Sequence, residues 1–418
     1  MIVTSPTFGT LEADPAEVGL DPARLARIDS HFRRYVDDGR LAGATIAVAR
    51  HDRLAHLTHL GVRDLDSADP VTDDTLWRIY SMTKPITSVA VLMLAERGAL
   101  ELTDPVSRYI PAFAEQRVYR GGSALNPGTD AAVEPMRVHH LLTHTAGLTY
   151  GFHHAHPVDE MYRSKGFEFG APSGMDLAAA SEHFASFPLL FQPGREWNYS
   201  VATDVLGRVV EVASGRRLDE FLREEITGPL GMTDTAFWVP EGSAQAGRLA
   251  TLYNARPGGG LVENKALARS ATREPTFLSG GGGLLSTTGD YLRFARMLAR
   301  GGELDGARIL GPRTLARATR NHLPGGADLD TVGRPIFSES AFAGVGFGLG
   351  FSVVVDGAAT KGFANEGTFA WGGLASTAFW VDPVDDLVVV FMTQLVPSST
   401  YPIRSQLQTL VQQAVTDR

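Results

Sequence analysis

The chain has 418 residues, 44% of them hydrophobic and 20% charged, with 38 Lys and Arg against 47 Asp and Glu. That balance fits a soluble globular protein large enough for one domain with an insertion, or for two domains sharing an interface. The formal net charge of -9 disfavours nucleic acid or an anionic membrane as a partner, and the absence of cysteine excludes a disulfide framework and thiolate chemistry.

The N-terminal stretch MIVTSPTFGTLEADPAEVGL lacks a basic segment followed by an apolar one, so it does not read as a secretory signal. The longest apolar runs, VAVLMLA at 89–95 and LVVVFM at 387–392, fall well short of the ~20 residues a spanning helix needs. The expectation is a soluble cytoplasmic protein.

DPARLARIDSHFRRYVDDG, residues 21–39, has helical periodicity with an Asp in capping position and a Gly at its end. GATIAVARHDRLAHLTHLGVRD then reads as two strands around His51-Asp52-Arg53. From Pro85 to Gly98 the pattern is helical, with Pro85 tolerable only in the first turn, so Ser81 lies at or just before the helix start. Between about 100 and 275 strand signals thin out, and HHLLTHTAGL, ATDVLGRVVEVASG and LDEFLREEITGPLG are the clearest helical segments. At the far end GFGLGFSVVVDG and LASTAFWVDPVDDLVVVFMTQ read as a strand, a second strand, a turn at Asp382-Pro383 and a third strand, and SQLQTLVQQAVTD as a closing helix. Strands crowd both ends and helices the middle. The predicted fold is α/β of the α+β kind, an antiparallel sheet flanked by helices with an inserted, mainly helical domain. Residues 1–95 and 275–418 are assigned to the core and 96–274 to the insertion.

Within this frame one pair of residues stands out. The lysines are Lys84, Lys165, Lys265 and Lys361, and only Lys84 follows a serine or threonine by three positions. On a helix, Ser81 and Lys84 lie on the same side one turn apart. An alcohol needs a base to become a nucleophile at neutral pH, and a lysine can serve when its surroundings favour the neutral amine. A serine cap with an exposed lysine one turn later would show the same spacing.

SMTK at 81–84 resembles the active-site signature of the serine beta-lactamase and penicillin-binding-protein superfamily. The resemblance runs on through RIYSMTKPITSVAVLMLAERGALELTDPVSRYIP, HHLLTHTAGL, FQPGREWNYSVATDVLGRVVEVASG and GGGGLLSTTGDYLRFARMLARGG, all similar to the class C beta-lactamase-like branch. It implies that Tyr199, in Tyr199-Ser200-Val201, faces Lys84 and acts as base toward Ser81 and then as acid toward the leaving alcohol. It also implies that Trp371-Gly372-Gly373 is the third motif on a core strand, with the backbone N–H groups of Ser81 and Leu374 as the oxyanion hole. Glycines at 372 and 373 would let a substrate lie against the strand.

Two departures carry the functional expectation. Trp371 stands where the beta-lactamase pattern has a lysine, so it offers no cation to a carboxylate, and Val201 replaces the amide expected to hold an acylamino group. Tyrosine second and tryptophan third is similar to the family VIII carboxylesterases, which implies hydrolysis of a neutral, short-chain ester through an acyl-serine. Tyr150, Phe152 and Trp197 on the helical side, and Phe369 or Trp371 on the core side, are expected to line the acyl pocket.

Other signatures are absent: no G-x-S-x-G, H-E-x-x-H or G-x-x-x-x-G-K occurs. His140 and His144 have zinc-pair spacing but no acid between them, and His139, His153, His154 and His156 lie nearby; none is assigned to a metal. The Gly280–Gly283 run is read as tight backbone packing before Leu284-Leu285. No cofactor is implied. The same scaffold could serve a beta-lactamase, a D-amino peptidase or other amidase, an acyltransferase, or a silent binding protein.

Overall fold

Asp21 accepts hydrogen bonds from Ala23 N and Arg24 N at 2.8 and 3.1 Å and so starts α1, Pro22–Asp37. The computed structural model describes residues 8–268, 271–334 and 342–417. After α1 come β1, Gly43–Arg50, and β2, Arg53–Gly61, joined as predicted by a tight hairpin in which His51 and Asp52 both take positive φ, 51° and 58°. That is the turn geometry whose twist suits two antiparallel strands.

The central helix α2 spans Thr83–Glu96 and α3 spans Ala202–Ser214. The helix α4, Thr288–Ala299, precedes five further strands: β3, Val345–Phe347; β4, Ser352–Val354; β5, Phe369–Gly372; β6, Ala378–Asp382; and β7, Leu387–Thr393. The chain closes with α5, Ile403–Gln412. Together the seven strands form one antiparallel sheet in the order β3-β4-β5-β6-β7-β1-β2. The N-terminal hairpin therefore joins the C-terminal strands through β1 on β7, from Ala44 opposite Thr393 to Arg50 opposite Leu387.

Register divides the sheet's two faces. Ala44, Ile46, Val48, Val389 and Phe391 pack with α1 and α5, whereas Ala47, Ala49, Val388, Val390 and Met392 join the larger core containing α2 and α4. Because both faces are covered, β1 and β7 are buried along their whole length and read as continuous apolar runs. No helix among the described residues is long and apolar enough to cross a membrane.

Four local expectations change. GFGLGFSVVVDG forms two short strands, β3 and β4, because the chain turns at Gly350, whose φ is 98° and whose Cβ position would lie 2.2 Å from Ser88 Oγ. HHLLTHTAGL is helical only within Val138–Leu142, and LDEFLREEITGPLG passes from a helix at Leu218–Leu222 into a π turn at Arg223–Thr227. The predicted helical middle also holds a β-hairpin, Arg117–Ser123 with Asn126–Ala131.

Candidate active site

Tyr80 takes φ 43°, a left-handed conformation costly for a bulky residue, and bends the chain into a single 3₁₀ turn, Tyr80–Met82, directly before α2. Ser81 sits in that turn, where the sequence placed it, and is partly exposed. Every residue of α2 from Thr83 to Leu94 is buried, so the helix is held from all sides.

One face of α2 is zipped to the glycine run. Leu284 N donates to Thr83 Oγ1 at 3.1 Å, Lys84 Nζ to Gly281 O at 2.7 Å, and Thr87 Oγ1 to Gly280 O at 2.8 Å. A Cβ at Gly280 would stand 2.7 Å from Thr203 O, and one at Gly281 2.8 Å from Asp204 Oδ2. The run is tight backbone packing, as read from sequence, and in addition it supplies an acceptor to the lysine.

Lys84, only 2% exposed, also donates to Ser81 Oγ at 3.3 Å and to the hydroxyl of Tyr150 at 3.0 Å. Its three donors are thus directed at three neutral oxygens. Tyr199 is brought to the same ammonium differently from the expectation: its ring lies over Nζ at 4.5 Å, while the phenol hydrogen-bonded to Lys84 is that of Tyr150. The two tyrosine rings are 5.4 Å apart.

Burial, then the negative charge of Asp204, then Tyr199, push the Tyr150 phenol well above its usual range, so it stays protonated at neutral pH. Burial likewise pushes the Tyr80 phenol up to about 12, against the pull of Arg78. Asp204 is raised by burial and held back by Lys84 and by hydrogen bonds from Ser279 and Gly281. His144, buried behind Tyr199 with ring centroids 5.1 Å apart and Nδ1 3.2 Å from Ser200 Oγ, is driven well below its usual value by burial and by Lys84, and is neutral.

On the sheet side, β4 pairs with β5 only at Phe369 and Ala370, leaving the 371–373 end of that edge without a partner strand. Trp371 faces Tyr199 at 5.4 Å. Gly373 is obligatory, since a Cβ there would lie 2.4 Å from Ile79 O, and this contact brings Leu374 beside the bend that carries Ser81. Among the described residues Leu374 N–H has no acceptor.

These groups open onto a cleft of about 1160 Å³. Of the residues named from sequence, Ser81, Tyr150, Phe152, Tyr199, Val201, Trp371, Gly372, Gly373 and Leu374 line it. Lys84, Phe369 and Trp197 do not. Phe369 is 4% exposed and packs edge-on against Phe351 in the main core, because it lies where β4 covers β5, opposite Val353, whereas Trp371 on the same face lies beyond the end of that pairing. Trp197 is 1% exposed and stacks behind Tyr199 at 6.2 Å, supporting that ring from the rear.

The expectation of no cation at the third motif is also corrected. Arg404 of α5 lies against Gly372, which has no room for a Cβ beside the guanidinium, and its Nη2 donates to Gly373 O and Thr377 O at 2.9 and 3.0 Å. Tyr80, Asp204, Ser279 and Arg404 were missed from sequence. For Asp204 the available signal was an acid five residues after Tyr199 on the apolar face of a helix.

Comparison with known proteins places the chain in a family. The sequence profile of the family described as Beta-lactamase matches residues 28–413. Esterase EstB of Burkholderia gladioli is 34% identical over 401 residues, covering 91% of this chain and 93% of that protein. A lovastatin esterase of Penicillium rubens is 29% identical over 391 residues, covering 88% and 92%. Among solved structures, EstCE1, described as a hydrolase with promiscuous acyltransferase activity, superposes with a TM-score of 0.80 at 26% identity, covering 93% of this chain and 99% of that one.

Proposed function

The chain belongs to the beta-lactamase family, and from that premise we propose that it is a carboxylesterase working through an acyl-serine on Ser81. At the coarser level it is a serine hydrolase of beta-lactamase fold. The observation that carries the finer reading is the buried Lys84 Nζ, 3.3 Å from Ser81 Oγ and fixed there by Tyr150 OH and Gly281 O.

In this reading Ser81 Oγ attacks the ester carbonyl while its proton passes to Lys84, present as the amine in the reactive form. The carbonyl oxygen, now an anion, rests between the N–H groups of Ser81 and Leu374, where such donors typically contribute about 2.7–4 kcal/mol each. Collapse expels the alcohol, protonated by Tyr199. Lys84 returns the serine's proton to the Tyr199 phenolate and is again the amine, so that water attacks the acyl-serine with Lys84 taking its proton, and the acid leaves as Ser81 Oγ recovers that proton. The ring of Tyr199 over Nζ favours the ammonium that forms in both halves.

Trp371 at the mouth and Val201 in the wall support a neutral ester, with the nearby Arg404 guanidinium engaged by Gly373 O and Thr377 O, and the relatives named as esterases support the same class. The short-chain expectation rested on the lack of a groove legible in sequence. With a cleft of about 1160 Å³, short esters are substrates that leave room for larger acyl or alcohol groups.

The test is turnover of p-nitrophenyl butyrate beside a chromogenic cephalosporin, in wild type and Ser81→Ala. Fast ester cleavage, slow lactam cleavage and loss of both in the variant are expected. Dominant lactam cleavage would reject the esterase assignment.

A further inference from the structure

The three acceptors around Lys84 are uncharged, yet the side chain is 2% exposed. A buried ammonium with no counter-charge is strongly disfavoured. The buried acid connected to it is Asp204, 3% exposed, in the first turn of α3. Its Oδ1 accepts from Ser279 Oγ at 2.6 Å and from Gly281 N at 3.0 Å. Gly281 is the bridge, presenting its amide to Asp204 and its carbonyl to Lys84 Nζ at 2.7 Å. Any side chain at 281 would collide with the Asp204 carboxylate.

We propose that Asp204 is a positioning residue for the nucleophile's base: through the Ser279–Gly281 turn it holds Lys84 Nζ against Ser81 Oγ, and its charge balances the ammonium formed when Ser81 gives up its proton. The proposal rests on the acyl-serine reading above and adds to it. Asp204 touches neither the serine nor the reacting atoms, so its effect passes through Gly281 and through the field it sets at Nζ. Shape and charge are separable. Asparagine keeps an oxygen for Ser279 and Gly281 but removes the charge, and alanine removes both.

The experiment measures the rate at which a fluorophosphonate modifies the purified full-length protein across pH. In that reaction Ser81 Oγ bonds to phosphorus, the P–F bond breaks, fluoride leaves and the serine proton goes to Lys84, so no ester substrate is needed. Asp204→Asn is expected to melt near wild type while the acidic limb of its rate profile moves toward lower pH, because losing a nearby anion favours the unprotonated amine. Asp204→Ala is expected to react about 100-fold more slowly. An Asp204→Asn profile superimposable on wild type would overturn the proposal, and that variant decides the matter if Asp204→Ala fails to fold. Ser81→Ala labelled as fast as wild type would instead sink the acyl-serine reading. Ser81-dependent labelling that ignores Asp204 would reject this inference alone.

Discussion

Gly373→Ala tests the joint between the sheet and the nucleophile. Its Cβ would fall 2.3 Å from Thr377 Oγ1 and 2.4 Å from Ile79 O, where a real Cβ is essentially never closer than 3.0 Å. Neither neighbour can swing aside: Thr377 is fully buried, and Ile79 O belongs to the backbone that leads into Ser81. The end of β5 must therefore retreat from the Ile79–Ser81 bend by at least about 0.6 Å. Leu374 N–H moves with it, away from the oxyanion that it would share with Ser81 N–H under the proposed mechanism. Complete loss of one such donor costs about 100- to 1000-fold in kcat, and misplacement near 1 Å costs about 100-fold. The expectation is kcat lowered about 100-fold on p-nitrophenyl butyrate with KM changed by less than about threefold, since the interaction lost is one made in the transition state. Circular dichroism and a melt establish that the variant is folded. A folded Gly373→Ala with kcat within about threefold of wild type would refute the assignment of Leu374 to the oxyanion hole.

The two tyrosines should separate by leaving group. Tyr199→Phe is expected to lose about 100- to 10,000-fold on ethyl esters but less on p-nitrophenyl esters, whose phenolate departs without a proton, whereas Tyr150→Phe, which removes an acceptor from Lys84, slows both alike. Equal losses for Tyr199→Phe on both esters would contradict its role as acid. Glu225, bonded to Arg97 at the end of α2 and to Arg216, both at 2.6 Å, is held down to about 2, first by Arg97, against an opposing effect of burial, and with further help from Arg216. A depressed folded-state value stabilises above the unfolded value near 4.5, and the gain is lost as pH falls toward 2. Glu225→Gln should therefore be about 1–3 kcal/mol less stable than wild type at pH 7 by urea unfolding, with the gap closing below pH 4.5. A gap independent of pH would mean that the ion pairs contribute nothing.

Much of this site was legible in sequence because its parts are local. A serine and lysine one turn apart, a tyrosine triad and a glycine pair before an apolar strand each sit within a few residues, and α2 with its Gly98 stop follows from periodicity and capping. Properties that depend on packing between distant segments were not legible. Which phenol reaches Lys84 depends on how the Tyr150 loop and the Tyr199 turn meet, and those positions are 49 residues apart in sequence. Phe369 and Trp371 lie on the same face of β5, and the choice between core and cleft needed to know where the pairing with β4 ends. Arg404 reaches Gly373 from 31 residues downstream. The missed hairpin at 117–131 is Gly-rich and exposed over most of its length, so it carries none of the alternation by which half-buried strands are recognised.

The central claim is that Ser81 carries the acyl group, and the most direct measurement is the mass of the protein quenched in acid during turnover of p-nitrophenyl butyrate. The account predicts a species heavier by one butyryl group, located on the peptide containing Ser81 and absent from Ser81→Ala. Ester turnover with no adduct in wild type, or with the adduct on another residue, would contradict it.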